Sequence, residues 1–209
     1  MCQAQRVTIA EANASRSRGD TRRAAIHEAA IAEFSTHGIK GASMERIARG
    51  ADLSRPALYQ YFANKDEIFA SAFVALFEAH VERAVAELER DASIADRLDG
   101  FLQRFVGDLW ERMAASEHAD EIESAKTGDL ALAIGTLLAD LWRQLDAHLA
   151  TLLPGTAASV AAQRQGWSDL VQFASRGLRA DQPPIDTYRQ RLRALAQSIA
   201  ADIDASRRK

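Results

Sequence analysis

The chain has 209 residues, of which 47% are hydrophobic, and a formal net charge of −3. This length and apolar content allow a buried core in one or two domains, and no apolar run reaches the length of a membrane span or a signal-peptide core. The single cysteine, Cys2, excludes an intramolecular disulfide. We therefore predict a cytoplasmic protein, and the low glycine and proline content favours helices.

The charge is unevenly distributed along the chain. Residues 1–65 carry ten Lys and Arg against six Asp and Glu, whereas the remainder carries 16 against 23. Only the N-terminal third is therefore suited to attract phosphate groups. Residues 1–19 show no sustained apolar period, and we expect them to form a mobile arm. Its Arg16 and Arg18, with Arg22 and Arg23 just beyond, either add contacts to a nucleic acid or stay solvated.

Residues 43–62 predict two short helices joined by a tight turn. Ser43 is a good N-cap for a helix that begins at Met44. The turn falls at Asp52, which tolerates the left-handed backbone at a helix end, and Ser54 caps the second helix. This arrangement is a helix-turn-helix, which is typical of DNA-binding proteins. The apolar residues predicted on the inner faces are Ile47, Ala48, Ala51, Leu58 and Phe62.

The second of these helices, about two turns long, is predicted to present aromatic and polar side chains outward. Exposed aromatic side chains do not favour solubility but are well suited to recognition. We therefore expect this surface to contact DNA. Ser54 leaves the first backbone N–H groups of its helix available to a phosphate. We assign Ser43, Tyr59 and Lys65 mainly to phosphates. Nearest to the bases we place Arg55, Gln60 and Tyr61.

Between residues 21 and 70 the chain resembles the TetR family of bacterial regulators. Two departures from the family's pattern stand out, since Asp52 replaces a turn glycine and Tyr61 replaces the usual histidine. The positions that fit the family's first helix and its glycine stop are Ile26, Ala29, Ala30, Phe34 and Gly38. Those that fit its helix-turn-helix are Ser43, Ile47, Ala48, Ser54, Leu58, Tyr59, Phe62 and Lys65.

The resemblance implies an all-α protein with an N-terminal three-helix helix-turn-helix DNA-binding domain at residues 20–66. A larger C-terminal helical domain for effector binding and dimerisation would follow at residues 67–209. The partners it implies are double-stranded DNA with an inverted-repeat operator, a second copy of the chain, and a small-molecule effector that releases the repressor. We expect no cofactor and no metal, because the spacing of His80, His118 and Glu121 matches no metal signature.

Beyond residue 62 the apolar spacing predicts longer helices. Asn64 and Glu67 form a capping box that starts a helix at Lys65, and its spacing continues to about residue 90. Further amphipathic runs cover about 93–115, 129–153, 156–180 and 185 onward. The polar stretch at 116–128 has room for a short helix.

The resemblance places an effector pocket and a dimer interface in the larger domain. An aromatic stripe at helical spacing also occurs in an ordinary core, so both interpretations stay open for the pocket residues. The last two helices could equally bury their apolar faces within one subunit. The predicted pocket residues are Phe73, Phe77, Phe105, Trp110, Met113 and Trp142. The predicted dimer residues are Trp167, Leu170, Ala174, Leu178, Leu192, Leu195 and Ile199.

Two other classes of protein are alternatives to a DNA-binding regulator. An enzyme is disfavoured because the sequence contains no phosphate-binding loop, nucleophile elbow or metal-ligand spacing. We therefore predict that the protein is not an enzyme. A helical scaffold that keeps a TetR-like head but binds a protein partner is the nearer alternative, and the basic charge of the N-terminal third favours DNA over it.

Overall fold

The computed structural model describes the backbone of residues 2–114 and 116–208 and the side chains of residues 19–112 and 116–208. Every regular element in these ranges is helical, which confirms the all-α prediction. Among the described helices, none combines the length and apolar character needed to cross a bilayer.

In chain order, the helices are α1 (Cys2–Gly41), α2 (Met44–Gly50), α3 (Arg55–Leu58), α4 (Lys65–Leu88), α5 (Ile94–Leu102), α6 (Asp108–Ala114), α7 (Ala119–Ser124), α8 (Gly128–Leu152), α9 (Ala158–Asp169), α10 (Ser175–Gly177) and α11 (Ile185–Arg207). Two π-helical segments, Gln103–Gly107 and Leu170–Ala174, join α5 to α6 and α9 to α10.

The contacts divide the chain into two compact units. The first unit comprises Met1–Ala75 with Ser116–Thr127, and the second comprises Leu76–Ala115 with Gly128–Lys209. The sequence-based division at residue 66 therefore differs from this one, because the first unit includes the beginning of α4 and also the segment that carries α7.

In the first unit, α1 begins at Cys2 and therefore includes the stretch for which the sequence predicts an arm. The side chains of residues 1–18 lie outside the described residues, and the mobility of this stretch stays a prediction. The helix is interrupted at Gly38, whose φ of 67° lies in the left-handed region. A Cβ atom at this position would overlap the carboxylate of Glu121, so the predicted glycine stop is confirmed and has a packing reason as well.

The core of the first unit is aromatic and aliphatic. Phe34 is fully buried, and its ring meets that of Phe69 edge-on at 5.2 Å between centroids. Burying one phenylalanine stabilises the fold by about 1.5–3 kcal/mol. The predicted inner-face residues are confirmed as buried: Ile47, Ala48, Ala51, Leu58 and Phe62. Of the residues that fit the family's first helix, Ile26, Ala30 and Phe34 are buried and Ala29 is half-buried.

The short helix α7 packs on the end of α1, and its presence confirms that the polar stretch at 116–128 is partly helical. Ile122 is fully buried there. The Ser116 hydroxyl donates to the Ser35 carbonyl at 2.7 Å, and the Lys40 N–H donates to the Glu121 carboxylate at 3.1 Å. The described residues contain no group of three or more side chains that could hold a metal ion.

In the second unit, the core lies among α4, α5, α8, α9 and α11 and is built from long apolar faces. Tyr188 is fully buried, its hydroxyl donates to the Ser175 carbonyl at 2.9 Å, and burial raises its pKa to about 12. Arg189 joins α11 to the α5–α6 region, because its guanidinium donates to Gln103 at 3.0 Å and to Asp108 at 2.9 Å.

The two π-helical segments are the main departure from the predicted helices of the second unit. The sequence predicts amphipathic helical runs at about 93–115 and 156–180, and the structure has helical segments over 94–114 and 158–177. A π turn adds a residue to the helix and rotates the faces that follow it. A stripe extrapolated at 3.6 residues per turn therefore loses its register at Leu170–Ala174.

Candidate nucleic-acid interface

Both predicted N-caps of the helix-turn-helix are present. The Ser43 hydroxyl accepts a hydrogen bond from the Arg46 N–H at 3.2 Å, and the Ser54 hydroxyl accepts one from the Ala57 N–H at 3.3 Å. Each cap contributes about 1 kcal/mol to helix stability. The side chains of Ser43 and Ser54, in addition to packing, thus determine where α2 and α3 begin.

The turn between α2 and α3 is a Schellman motif with aspartate in the left-handed position. Asp52 has a φ of 54°. The Leu53 N–H donates to the Ala48 carbonyl at 2.9 Å, and the Asp52 N–H donates to the Arg49 carbonyl at 3.2 Å. The prediction that Asp52 adopts the backbone of the family's turn glycine is confirmed.

The second helix of the motif is shorter than predicted. α3 ends at Leu58, and the N–H groups of Gln60 and Tyr61 then donate to carbonyls three residues back, at 3.2 and 2.9 Å. The expectation of about two α-helical turns is therefore wrong: one α turn is followed by two tighter turns, and the Phe62 N–H then donates to the Leu58 carbonyl four residues back at 3.1 Å. Few peptide dipoles add up over four residues, so the end capped by Ser54 attracts phosphate less than a longer helix would.

The outer surface of α3 is exposed as predicted and contains a preformed pair. Arg55 donates to the Tyr59 hydroxyl at 3.4 Å, and its guanidinium lies 5.7 Å from the centre of that ring. The hydrogen bond to Tyr59 raises the pKa of Arg55. Gln60 is exposed beside this pair. The side chains predicted nearest to the bases thus share one open surface, apart from Tyr61.

Tyr61 is half-buried, because it lies beside α1. The guanidinium of Arg23 is 5.9 Å from the centre of the Tyr61 ring and 5.3 Å from that of Phe62. This contact was not predicted from the sequence, since nothing in the local pattern at residue 61 indicates a partner on the first helix.

Lys65 occupies the predicted first position of α4, but its ammonium is directed into the protein. It donates to the carbonyls of Ile39 at 2.8 Å, Lys40 at 3.1 Å and Ala42 at 3.5 Å. The structure therefore gives Lys65 a stabilising role at the end of α1 that its sequence context does not indicate. These bonds do not favour its assignment to a DNA phosphate, which stays a prediction.

The predicted capping box at the start of α4 is present in a shifted form. The Asn64 side chain accepts from the Glu67 N–H at 2.9 Å, as expected. The Glu67 carboxylate accepts from the Ala63 N–H at 2.7 Å, one residue before the cap. The start of the helix at Lys65 is confirmed.

Glu33 is a second residue whose role was not predicted from the sequence. Its carboxylate, only 8% exposed, accepts from the Ser43 N–H at 3.0 Å and from the Arg46 guanidinium at 2.6 Å. Arg46 also donates to the Gly41 carbonyl. Hydrogen bonds to an ionised group are stronger than neutral ones. Glu33 therefore fixes the beginning of α2 relative to α1.

The predicted pocket residues do not form one cluster within a unit. Phe73 belongs to the first unit, where its ring packs on Phe69 at 4.5 Å. Phe105 is buried in the core of the second unit and meets Trp142 edge-on at 5.6 Å, and Phe77 is buried in that unit too. These contacts favour the core interpretation for all four residues. The Met113 side chain lies outside the described residues.

Trp110 differs from the other aromatic residues because its buried indole N–H has no hydrogen-bond partner among the described residues. Its ring packs against Tyr188 at 6.3 Å and lies under the guanidinium of Arg179. A groove of about 380 Å³ lies elsewhere in this unit, between α4 and α8. None of the predicted pocket residues lines it: its walls are Glu78, Val81, Glu82, Val85, Leu137 and Gln144.

The predicted dimer residues are only partly on the surface. Trp167, Leu192 and Ile199 are buried in the core of their own unit, and Trp167 donates to Asp202 at 2.8 Å. Their assignment to an interface is therefore wrong, because a side chain without exposed area in one chain offers nothing to a second copy. Leu178 and Leu195 are half-buried against the core, and Ala174 is half-buried. The exposed side chains are Leu170, at 49%, and Phe173, at 58%, of which Phe173 was not predicted.

Two capped helices, joined by a Schellman turn and packed on a third, define a helix-turn-helix DNA-binding domain. The tetR family of bacterial regulatory proteins matches residues 26–72. The HTH-type transcriptional repressor SCO4008 of Streptomyces coelicolor is 35% identical over 85 residues, which cover 40% of each chain. Over its N-terminal domain the chain is therefore similar to the TetR family.

Solved structures extend the likeness over most of the chain at the level of the fold. A transcriptional regulator from Rhodococcus sp. Rha1 superposes with a TM-score of 0.58 at 21% identity, covering 85% of this chain and 95% of that one. FadR from Bacillus subtilis, in complex with stearoyl-CoA, gives 0.52 at 21% identity, covering 87% and 97%. The chain spans two fifths of the length of the SCO4008 repressor it matches.

Proposed function

We propose that the chain is a transcriptional repressor that binds an inverted-repeat operator as a homodimer and is released by a small-molecule effector. The observation that carries this proposal is the open surface of α3, where Arg55, Tyr59 and Gln60 are exposed on a rigid capped motif. The name of the Streptomyces coelicolor relative, a transcriptional repressor, supports the same function. It also favours a regulator over an enzyme.

The geometry of α3 supports a proposed set of contacts with DNA. Arg55 and Gln60 can donate to base edges in the major groove, where a side chain distinguishes all four base pairs. Tyr59 and the Ser43 region face phosphates, which position the domain without reading sequence. Because Tyr59 already holds Arg55, replacing Tyr59 with Phe is expected to relax base preference as well as affinity.

A second copy of the chain is proposed to cover the exposed face of Leu170 and Phe173. Leu170 and Phe173 are large, exposed apolar side chains within one short segment, Leu170–Ala174, and clustered exposed apolar side chains are typical of interaction sites. A two-fold dimer presents two recognition helices to successive major grooves, about 34–36 Å apart. The operator is therefore proposed to be palindromic.

The effector is proposed to bind in the second unit and to favour the form that does not bind DNA. Support comes from the fold shared with Bacillus subtilis FadR, whose structure contains stearoyl-CoA. A coupling free energy of about 1–3 kcal/mol between the two sites changes affinity some 5–150-fold. α4 contributes residues to both units and is one of the covalent connections through which this coupling would pass.

A binding-site selection from random DNA duplexes tests the proposal directly. The full-length protein is expected to enrich one inverted repeat, with half-sites one helical turn apart or nearly so. Gln60→Ala should change the enriched sequence, whereas Thr36→Ala, on the exposed surface of α1, serves as a control that should not. Absence of any enriched sequence would favour the alternative of a helical scaffold that binds a protein partner.

A further inference from the structure

We infer that Arg23 is a positioning residue for DNA recognition: its guanidinium stacks on Tyr61 and holds that ring in place beside α3. This inference rests on the proposed function, because it concerns how the helix-turn-helix meets DNA. It replaces the simpler expectation that Arg23 contributes a phosphate contact or stays solvated.

The guanidinium of Arg23 lies over two rings that are consecutive in the chain. Phe62 is only 3% exposed and belongs to the core, whereas Tyr61 is half-buried at the edge of the motif. The distances from the guanidinium carbon to the two ring centres are 5.3 and 5.9 Å, within the range of cation–π attraction. Arg23 thus contacts both the buried Phe62 ring and the half-buried Tyr61 ring.

The support beneath this stack is rigid. His27, one turn after Arg23 on α1, lies 5.9 Å from the Phe62 ring, and its Nε2 forms a hydrogen bond of 2.9 Å with the Ser71 hydroxyl on α4. Burial, and secondarily the charge of Arg23, lowers the pKa of His27 and favours its neutral form. Arg23, on α1, therefore contacts the end of the helix-turn-helix beside a part of α1 that is bonded to α4.

The Tyr61 hydroxyl has no hydrogen-bond partner among the described residues. α3 ends at Leu58, and the Tyr61 N–H makes a turn bond to the Leu58 carbonyl at 2.9 Å. The side chain therefore depends on tertiary contacts for its orientation. Stacking by Arg23 supplies one, at the position where the family's usual histidine is replaced.

A guanidinium and an ammonium differ in this role. The planar guanidinium stacks on aromatic faces, whereas the compact, strongly hydrated ammonium of lysine does so less well. Both carry the charge that a phosphate contact requires. Arg23→Lys therefore separates the two roles. Arg22→Lys is a matched control, because Arg22 is exposed like Arg23 but has no ring contact among the described residues.

The test is a double-mutant cycle on the full-length protein, with the operator recovered by selection and dissociation constants measured by fluorescence anisotropy at several salt concentrations. Arg23→Lys is expected to weaken binding about two- to fivefold and to leave the salt slope unchanged. In a Tyr61→Leu background the same change is expected to have no further effect. Arg22→Lys is expected to leave affinity unchanged.

Tyr61→Phe gives a second arm that keeps the ring, and the Arg23→Lys effect should persist in it at full size. Thermal unfolding confirms that each variant is folded; if Tyr61→Leu is not, Tyr61→Met takes its place. Additive effects of the two changes would overturn the inference. So would a neutral Arg23→Lys together with an Arg23→Gln variant whose salt slope falls by about one, since that pattern defines a phosphate contact.

The proposed function and the positioning role of Arg23 fail on different results. If the wild-type protein enriches no DNA sequence, the proposed function fails. If it binds a selected operator and the cycle between Arg23 and Tyr61 shows no coupling, only the positioning role fails.

Discussion

The two units of the molecule are stabilised by different kinds of interaction. In the first unit, short helices meet at turns, and polar groups such as the buried Glu33 carboxylate and the half-buried Lys65 bind backbone groups at the junctions. In the second unit, long helices pack apolar faces, and Leu141, Leu145 and Leu149 are fully buried along one side of α8. Single polar groups therefore control the geometry of the first unit, and apolar volume controls that of the second.

The largest expected effect comes from comparing substitutions at two of the predicted dimer residues, Ile199 and Leu170. Ile199→Arg places a charge in the core of the second unit and should reduce the free energy of unfolding by about 3–5 kcal/mol. Leu170→Arg, on the exposed face, should leave the monomer stable to within about 0.5 kcal/mol while abolishing dimers and operator binding. Chemical denaturation and light scattering measure the two outcomes.

Leu132→Arg is the matched control for Leu170→Arg, because Leu132 is also an exposed leucine, on α8. It should leave both stability and dimerisation unchanged. A Leu170→Arg variant that remains dimeric would contradict the proposed interface. A stable, folded Ile199→Arg monomer would instead support the assignment of Ile199 to the dimer interface that the sequence predicts.

In the first unit, the strongest effect is expected at Glu33. Glu33→Gln removes a buried charge from the Arg46 guanidinium and weakens the bond to the Ser43 N–H. The loss should be about 1–3 kcal/mol of unfolding free energy, with weaker DNA binding on every sequence. Urea denaturation measures it. Glu45→Gln breaks an exposed pair with Arg49 and should cost at most about 0.5 kcal/mol; equal losses would mean that burial of Glu33 is unimportant.

Lys65 separates a structural from an electrostatic role. Lys65→Met keeps most of the length of the side chain but leaves the Ile39 and Lys40 carbonyls without their donor. We expect a loss of about 1–2 kcal/mol in unfolding free energy and no change in the salt dependence of DNA binding beyond what this loss explains. A salt slope lower by about one, with stability retained, would instead support a phosphate contact.

How much could be predicted from the sequence depends on the range of the interaction. Ser43, Ser54 and Asp52 act on backbone groups within a few residues, so their residue types alone indicated the helix-turn-helix. Long-range contacts are made by Glu33, Lys65 and Arg23, whose partners are distant in the chain. The local sequence pattern does not indicate these contacts. The π segment at Leu170–Ala174 has no distinctive composition either, and part of the predicted interface stripe lies in the core.

The smallest expected effect tests the turn itself. At a φ of 54°, glycine incurs no conformational penalty, whereas a Cβ without a polar group costs roughly 1 kcal/mol. Asp52→Ala should therefore destabilise the protein by about 1 kcal/mol, and Asp52→Gly by less than that or not at all. The two variants differ in almost no side-chain contact, because Asp52 is exposed, so a difference between their unfolding midpoints reports the backbone alone. If alanine and glycine are equivalent, then the Schellman bonds and not the left-handed residue determine where α2 ends, and the replacement of the family's glycine carries no cost.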